Sequence, residues 1–211
     1  MLNSLSLFQG EYGRDPRPTR FALFIATRAK HTVCCYSGEK AATGIGMNYI
    51  PLVPRSKGLG SKLARASSLL LKRFEEDIRN TQTNQAFNYL KNEKFNLIFC
   101  HDLVLLPLAC ALKNLPHNMG KCKIIMDARE YYPRQFENNR IWRFFLADLN
   151  EYLCKKYLSK ADLVYTVSPG LVKGYKEDYG INCKLLPSFP YYSEVSSTLP
   201  TEKTIRMIHH G

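Results

Sequence analysis

The chain has 211 residues, of which 45% are hydrophobic, and this fraction suffices for a buried core and argues against global disorder. Its 30 lysine and arginine residues exceed its 18 aspartate and glutamate residues, so the formal net charge is +12. The excess favours anionic partners, namely nucleic acid, acidic lipid headgroups or phosphorylated substrates, without choosing among them.

The cysteines and the apolar stretches of the sequence indicate the cellular compartment of the protein. The seven cysteines form no C-x-x-C pair, and several lie in apolar runs, so we expect reduced and mostly buried thiols. The histidines have no metal-ligand spacing with the cysteines, so we expect no metal site.

The start of the chain lacks the basic residues of a signal peptide, and the longest apolar stretch, Leu103 to Leu112, is shorter than the roughly 20 residues of a membrane span. We therefore expect a cytoplasmic protein, soluble or peripheral on the inner face of the cell membrane.

Strand-like and helix-like stretches alternate along the chain. Short apolar or β-branched runs predict strands, and apolar residues at helical spacing predict helices. Such alternation is typical of an α/β fold with a parallel sheet and helices on both of its faces. The predicted strands are 5–8, 32–36, 47–53, 96–100, 122–126, 163–167 and 183–186, and the predicted helices are 19–30, 58–92 (one or two helices), 103–113, 139–158 and 169–177.

The C-terminal residues differ in composition from the rest of the chain. Residues 191–203 are mostly polar, and an apolar run followed by His209, His210 and Gly211 comes after them. A strand followed by glycine is typical of the start of an α/β domain. We therefore predict a Rossmann-like domain at 1–190, an interdomain linker at 191–203 and the first strand of a truncated second domain at 204–211.

Polar side chains directly follow three of the predicted strands. His101 and Asp102 follow the fourth strand, residues 127–130 follow the fifth, and Ser168 follows the sixth. In an open α/β sheet, ligands bind in the crevice outside the carboxyl ends of the strands. We therefore expect one cleft that is assembled from separate parts of the chain.

Six segments in order along the chain have a motif-like pattern. They are Asp15 to Arg17 with Phe21-Ala22 and His31 to Val33, then Asn96 to Pro107, Ile124 to Pro133, Ala161 to Ser168, Leu185 to Pro190 and Ile205 to Gly211. Together they resemble motifs of the N-terminal domain of the family 4 glycosyltransferases, which have the GT-B architecture. Three positions depart from the family pattern: Asn96 replaces an acid, Arg129 stands where histidine is common, and Ser188 replaces an asparagine.

This resemblance implies a retaining hexosyltransferase that moves a sugar from a nucleotide-sugar donor to a glycan or lipid-linked acceptor. Many such proteins build capsule, lipopolysaccharide or exopolysaccharide, and they require no metal or other cofactor. The chain would be the N-terminal, acceptor-side half of a GT-B fold. The donor nucleotide would lie mainly on the C-terminal domain that begins at 204–211, so we expect the chain alone to be inactive.

The resemblance also implies roles for the residues after the strands. In similar enzymes the histidine at the position of His101 lies beside the reacting sugar, and its imidazole can donate or accept a proton near neutral pH. His101 could equally cap a helix or pack under a loop. Asp102 and Glu130 can orient sugar hydroxyls through charge-assisted hydrogen bonds, although Asp102 could equally be the N-cap of the next helix. We interpret Asp127 as structural, with its carboxylate bound to backbone amides of its loop.

Other residues are candidates for binding the donor or the acceptor. Arg17 and Arg129 could face a diphosphate or an anionic acceptor, because a guanidinium suits phosphate oxygens, or they could be ordinary surface arginines. Gly10 could let backbone amides approach a phosphate. Ser168 is expected to cap the helix that Pro169 begins, with a secondary role in the cleft.

A run of basic residues from Arg55 to Arg73 contains no acidic residue, and the next acid along the chain is Glu75. Its interleaved leucines resemble an amphipathic segment on an anionic membrane, and an ordinary solvated helix face is the alternative. The basic residues of this run are Arg55, Lys57, Lys62, Arg65, Lys72 and Arg73.

Three other functions stay open from the sequence. A nucleotide-sugar epimerase would have the same architecture, but its His-Gly-Asp strand-end pattern is missing. A basic nucleic-acid-binding module fits the charge, but no aromatic and basic motif of a known type occurs, so we expect no nucleic-acid partner. The third alternative is a non-catalytic binding module or scaffold.

Overall fold

The computed structural model describes residues 2–55, 58–79, 81–189 and 194. Within these residues, seven strands form one sheet. The strands are β1 (Asn3–Leu7), β2 (Lys30–Cys35), β3 (Asn48–Pro51), β4 (Leu97–Cys100), β5 (Lys123–Ala128), β6 (Leu163–Thr166) and β7 (Lys184–Leu185).

All neighbouring strands are parallel, and their order across the sheet is β3-β2-β1-β4-β5-β6-β7. Parallel strands require crossover connections, which here contain the helices. The helices are α1 (Pro16–Ala26), α2 (Glu39–Thr43), α3 (Leu59–Leu70), α4 (Phe74–Ile78), α5 (Thr81–Leu90), α6 (Leu106–Lys113), α7 (Arg140–Phe145), α8 (Ala147–Tyr157) and α9 (Pro169–Tyr179), with short 3-10 helices at Leu103–Leu105, Tyr132–Arg134 and Leu158–Lys160. The fold is α/β and Rossmann-like, as the sequence predicts.

The core lies on both sides of the sheet, because side chains alternate along each strand. Ile98 and Cys100 of β4 belong to the larger core, which also contains side chains of α5, α6 and α8. Phe99, between them, packs with Ile25 of α1 in a smaller core. The central strand β4 is therefore covered by different helices on its two faces.

Each of the seven strands predicted between residues 5 and 186 overlaps an observed strand, but the helix predictions are wrong in three places. The predicted helix at 139–158 is two helices, α7 and α8, which meet at Leu146, where φ is −115°. The region 58–92 contains three helices, and α2 is a short helix that the sequence analysis missed. Gly38 and Gly44 flank α2, and its five residues are too few for a periodic pattern.

The structure tests the predicted domain organisation and the expected lack of a membrane span only within the described residues. The linker predicted at 191–203 and the strand predicted at 204–211 lie outside the described residues, apart from Glu194. No helix within the described ranges has both the length and the apolar character needed to cross a membrane.

The expectation of buried, unpaired thiols is confirmed. All seven cysteines are free, and six of them are buried, the exception being the partly buried Cys183. Burial raises the pKa of Cys34 to about 12 and that of Cys35 to about 11. Since the thiolate is the reactive form, these side chains serve as small apolar core residues.

His31 is a buried histidine in the middle of the sheet. Its side chain on β2 lies beside two serines of β1, with Nδ1 2.8 Å from Ser4 Oγ and Nε2 3.1 Å from Ser6 Oγ. Burial, together with the charge of the nearby His101, lowers the pKa of His31 to about 4. The folded protein therefore keeps this imidazole neutral at pH values where the unfolded chain, with a pKa of about 6.5, takes up a proton.

We predict that His31 makes stability fall with pH below about 6.5. Its contribution is fully present above the unfolded pKa and decreases towards the folded pKa of about 4. This imidazole should lower the free energy of unfolding by about 2 kcal/mol between pH about 7.5 and about 5. Urea unfolding at both pH values tests this. His31→Gln should reduce the pH dependence by that amount and His117→Gln should not; equal pH dependence in both variants would contradict the prediction.

Candidate functional site

The predicted site residues come together where the order of the strands reverses. β1 lies beside β4, and the chain continues from β1 towards β2 and β3 but from β4 towards β5, β6 and β7. Ligands of open α/β sheets bind at such a switch point, outside the carboxyl ends of the strands. Gln9 and Gly10 follow β1 there, and His101 and Asp102 follow β4.

Arg17, Asp127 and His101 form a buried polar triad at this switch point. Arg17 Nε lies 2.8 Å from Asp127 Oδ2 and Arg17 Nη2 lies 2.7 Å from Asp127 Oδ1, which is a bidentate ion pair. His101 Nδ1 lies 3.1 Å from Asp127 Oδ2. The three side chains are 9%, 2% and 0% exposed, respectively. Asp127 is therefore structural, as predicted, but it binds two side chains and not the backbone amides of its loop.

The charge of Asp127 fixes the orientation of the imidazole. Burial alone would raise the pKa of this carboxyl group, but the hydrogen bonds from His101 and Arg17 outweigh it and hold the pKa below its usual range. An ionised carboxylate only accepts hydrogen bonds, so His101 Nδ1 donates. The other ring nitrogen, Nε2, is buried and has no hydrogen-bond partner among the described residues. The rings of Phe8 and Phe21 contact this imidazole edge-on, with centroids 6.1 Å and 5.4 Å away.

A second network lies nearer the surface and connects the loops after β1, β4 and β5. Arg129 Nη1 lies 3.2 Å from both carboxylate oxygens of Asp15, and Arg129 Nη2 lies 3.2 Å from Asp102 Oδ1. The other oxygen of Asp102 accepts a 2.6 Å hydrogen bond from the backbone N–H of Gln9. The side chains of Arg129, Asp15 and Asp102 are about one-fifth to one-quarter exposed.

This second network carries two carboxylates for one guanidinium. Burial alone would lower the pKa of Arg129, but Asp102 and Asp15 outweigh it and raise the pKa, so Arg129 stays charged. An anion that bound Arg129 would have to displace Asp15 or Asp102, and the same holds for Arg17 and its partner Asp127. Carboxylates accept hydrogen bonds, so the exposed part of this network suits hydroxyl donors better than phosphates.

Tyrosine side chains hold the loop after β5. The Tyr132 hydroxyl donates to the His101 carbonyl over 3.3 Å, and Asn150 Nδ2 donates to the Tyr132 carbonyl over 2.9 Å. The Tyr175 hydroxyl donates to the Glu130 carbonyl over 2.6 Å and accepts from the Tyr132 N–H over 3.2 Å. These contacts link α8 and α9 to the backbone of the candidate site.

The remaining predicted residues contribute in different ways. The Glu130 side chain is exposed, beside a backbone that Tyr175 fixes. Ser168 caps α9, as predicted, since its Oγ accepts from the Leu171 N–H at 3.4 Å, and it is not part of either network. Asp102 does not cap the helix that follows it, because its carboxylate binds Gln9 and Arg129 instead.

Gly10 permits a close approach between two loops of the site. A Cβ atom at this position would lie 3.2 Å from Asp15 Oδ2 and 3.2 Å from Phe8 Cδ2. Any larger residue would therefore push against the carboxylate that binds Arg129.

The segment after β7 borders the buried triad. Arg17 Nη2 also donates to the Leu186 carbonyl over 2.9 Å, and Arg20 Nη2 donates to Ser188 Oγ over 2.8 Å. A cavity of about 320 Å³ lies between α1 and this segment, and Arg17, Arg20 and Phe189 are among its lining residues. Cavities of about 450 Å³ and about 560 Å³ lie elsewhere and contain none of the predicted site residues.

Comparison of the chain with protein-family models and with curated proteins gives no match. A functional assignment therefore depends on the residues and their geometry.

Several residues of the site escaped the sequence analysis. Nothing in the sequence around Asp15 indicates that its carboxylate binds Arg129. The contacts of Tyr132, Asn150 and Tyr175 were not predictable either, because polar side chains inside helical segments carry no local signal of a contact with a distant loop. Among the described residues, no group of three or more histidine, cysteine, aspartate or glutamate side chains is arranged to hold a metal ion.

We predict that breaking the buried triad destabilises the fold. Asp127→Asn leaves the Arg17 guanidinium buried without a counterion and should cost about 3–5 kcal/mol in the free energy of unfolding, measured with urea. Glu11→Gln is a matched control, because it breaks the largely exposed Glu11–Arg14 pair and should cost less than about 1 kcal/mol. Replacing both partners, with Arg17→Met and Asp127→Leu, should recover part of the loss. Similar losses for Asp127→Asn and Glu11→Gln would contradict this account.

Proposed function

We propose that this chain is the acceptor-side part of a retaining glycosyltransferase that moves a sugar from a nucleotide-sugar donor to a glycan or lipid-linked acceptor. The observation that carries the proposal is the environment of the two ring nitrogens of His101. Its Nδ1 is anchored by Asp127, while its buried Nε2 has no partner among the described residues, at the switch point where α/β folds bind ligands. Its position after β4 also agrees with the family motif that the sequence resembles.

The charges around His101 support a sugar as the ligand of this region. Asp15 and Asp102 offer partly exposed carboxylate oxygens, and Glu130 offers an exposed one nearby in the chain. Charged acceptors of this kind bind hydroxyl groups strongly. In the proposed reaction, the bond from the anomeric carbon to the diphosphate oxygen breaks and a bond to the acceptor oxygen forms. The proton of the acceptor hydroxyl passes to the departing diphosphate.

The residues have distinct roles in this proposal. His101 Nε2 and the Glu130 carboxylate would contact the transferred sugar or the acceptor hydroxyl, and Asp102 would orient sugar hydroxyls. Arg17 would act through Asp127, because both of its bonds to that carboxylate are buried. The donor nucleotide would lie mainly on a domain that follows the described residues, and no metal or other cofactor would be needed.

The complete burial of His101 favours one second candidate. In this candidate the triad only holds the loops in place, and the protein binds a glycan without transferring a sugar to it. Both candidates use the carboxylates of Asp15 and Asp102, but only the first requires Nε2 to become accessible.

An activity assay with the protein expressed from its complete reading frame tests the proposal. We expect nucleotide release when nucleotide-sugars and glycan or lipid-linked acceptors are supplied together. Asp102→Asn and His101→Ala should each reduce kcat/KM by about tenfold to 100-fold, the size of one or two charged hydrogen bonds. Glu137→Gln, at an exposed position outside both networks, is the control and should have no effect.

Two outcomes would overturn the proposal. Calorimetry that detects no nucleotide-sugar binding by this protein would exclude transfer altogether. Unchanged turnover in a folded His101→Ala variant would leave His101 with a structural role and would remove the observation on which the proposed mechanism depends. Glycan binding without nucleotide release would favour the second candidate.

A further inference from the structure

Helix α3 exposes a stripe of leucines. Leu59, Leu63 and Leu70 lie on one face of the helix, since their spacing is close to whole turns, and they are 75%, 62% and 53% exposed. Leu69 is the buried residue of α3, and it lies about 100° around the helix from Leu70. The stripe of leucines therefore lies on a solvent-exposed side of α3.

Helix α7, which packs beside α3, exposes apolar side chains as well. Ile141 and Phe144, three residues apart, are 73% and 68% exposed, whereas Trp142 is buried. Ile141 and Phe144 fit the helical period of the single helix predicted at 139–158, yet both face outwards. We call Leu59, Leu63, Leu70, Ile141 and Phe144 the α3–α7 patch.

Basic side chains border the α3–α7 patch. Lys62, Arg140 and Arg143 are exposed and form no salt bridge within the part of the chain that the structure describes. Lys72 pairs with Asp148 at 2.9 Å, but this pair is mostly exposed and therefore weak. An anionic surface could replace such a contact.

Only part of the basic run predicted from the sequence is available to bind an anionic surface. Arg55 Nη1 lies 2.6 Å from Asp77 Oδ1, and Arg65 Nε lies 3.2 Å from the same oxygen. Arg65 thus connects α3 to α4, and Arg55 connects the segment after β3 to α4. Lys57 lies outside the described residues. The free positive charge of this region comes instead from Lys62 on α3 and from α7.

We propose that the α3–α7 patch docks on the surface of an anionic lipid bilayer. Exposed leucine, isoleucine and phenylalanine side chains can enter the boundary between headgroups and acyl chains, while lysine and arginine at the border attract anionic headgroups. Five large apolar side chains on adjacent helices exceed the scattered exposure of an ordinary surface. The interaction is independent of the proposed sugar transfer.

Vesicle co-sedimentation tests the proposal with the chain itself. We expect the protein to sediment with vesicles of phosphatidylcholine and phosphatidylglycerol and to stay in solution with vesicles of phosphatidylcholine alone. Binding to the anionic vesicles should weaken as salt rises above about 0.15 M, because screening reduces the attraction.

Paired variants separate the apolar part of the interaction from the charged part. Leu63→Ser with Ile141→Ser should reduce vesicle affinity at least about tenfold without changing the salt dependence. Arg140→Gln with Arg143→Gln should reduce it by a similar factor and flatten the salt dependence. Met119→Ser and Lys121→Gln, at exposed positions in the turn before β5, are the matched controls and should bind as the original chain does.

Other outcomes would overturn the proposal. Equal sedimentation with neutral and anionic vesicles, or none with either, would exclude an electrostatic bilayer contact. A dimer in sedimentation velocity that Leu63→Ser with Ile141→Ser dissociates would assign the patch to a second copy of the chain. Nucleotide release with a water-soluble acceptor reports on the proposed transfer separately, so the two proposals can fail independently.

Discussion

The ion pair between Arg17 and Asp127 is the contact on which the candidate site depends. It joins α1 to the end of β5, and these elements are 110 residues apart in the chain. Because both side chains are buried, each charge is tolerated only with the other present. The same carboxylate holds His101 after β4, so one buried anion fixes residues from three separate parts of the chain.

The fold could be predicted from the sequence because each strand and most helices are indicated by the residues within them. An apolar run such as residues 96–100 predicts a buried strand wherever it occurs, and the alternation of strands with helices predicts a parallel sheet. The two-helix structure of 139–158 was not predictable in this way. Its apolar residues Ile141 and Phe144 fit the helical period, yet they face outwards, and only the packing of the neighbouring helices decides that.

The sequence predicts where the candidate site lies, but it does not predict which of its side chains contact one another. Polar residues at the ends of strands, such as His101 and Asp102, are visible in the sequence because they follow apolar runs. Their partners are not visible, since nothing local to Arg17 indicates that it binds Asp127, nor that Arg129 lies between Asp15 and Asp102. From the sequence, Arg17 and Arg129 are candidates for binding a phosphate or ordinary surface arginines, whereas the structure pairs each of them with a carboxylate.

The guanidinium of Arg17 has a second partner that extends the influence of the triad. Its Nη2 group donates both to Asp127 and to the carbonyl of Leu186, just beyond β7. A path of three hydrogen bonds thus runs from the backbone at Leu186 through Arg17 and Asp127 to the imidazole of His101. A shift of the chain after β7 would change the angle at which this guanidinium meets Asp127, and the orientation of a buried ring would follow from the path of a surface segment.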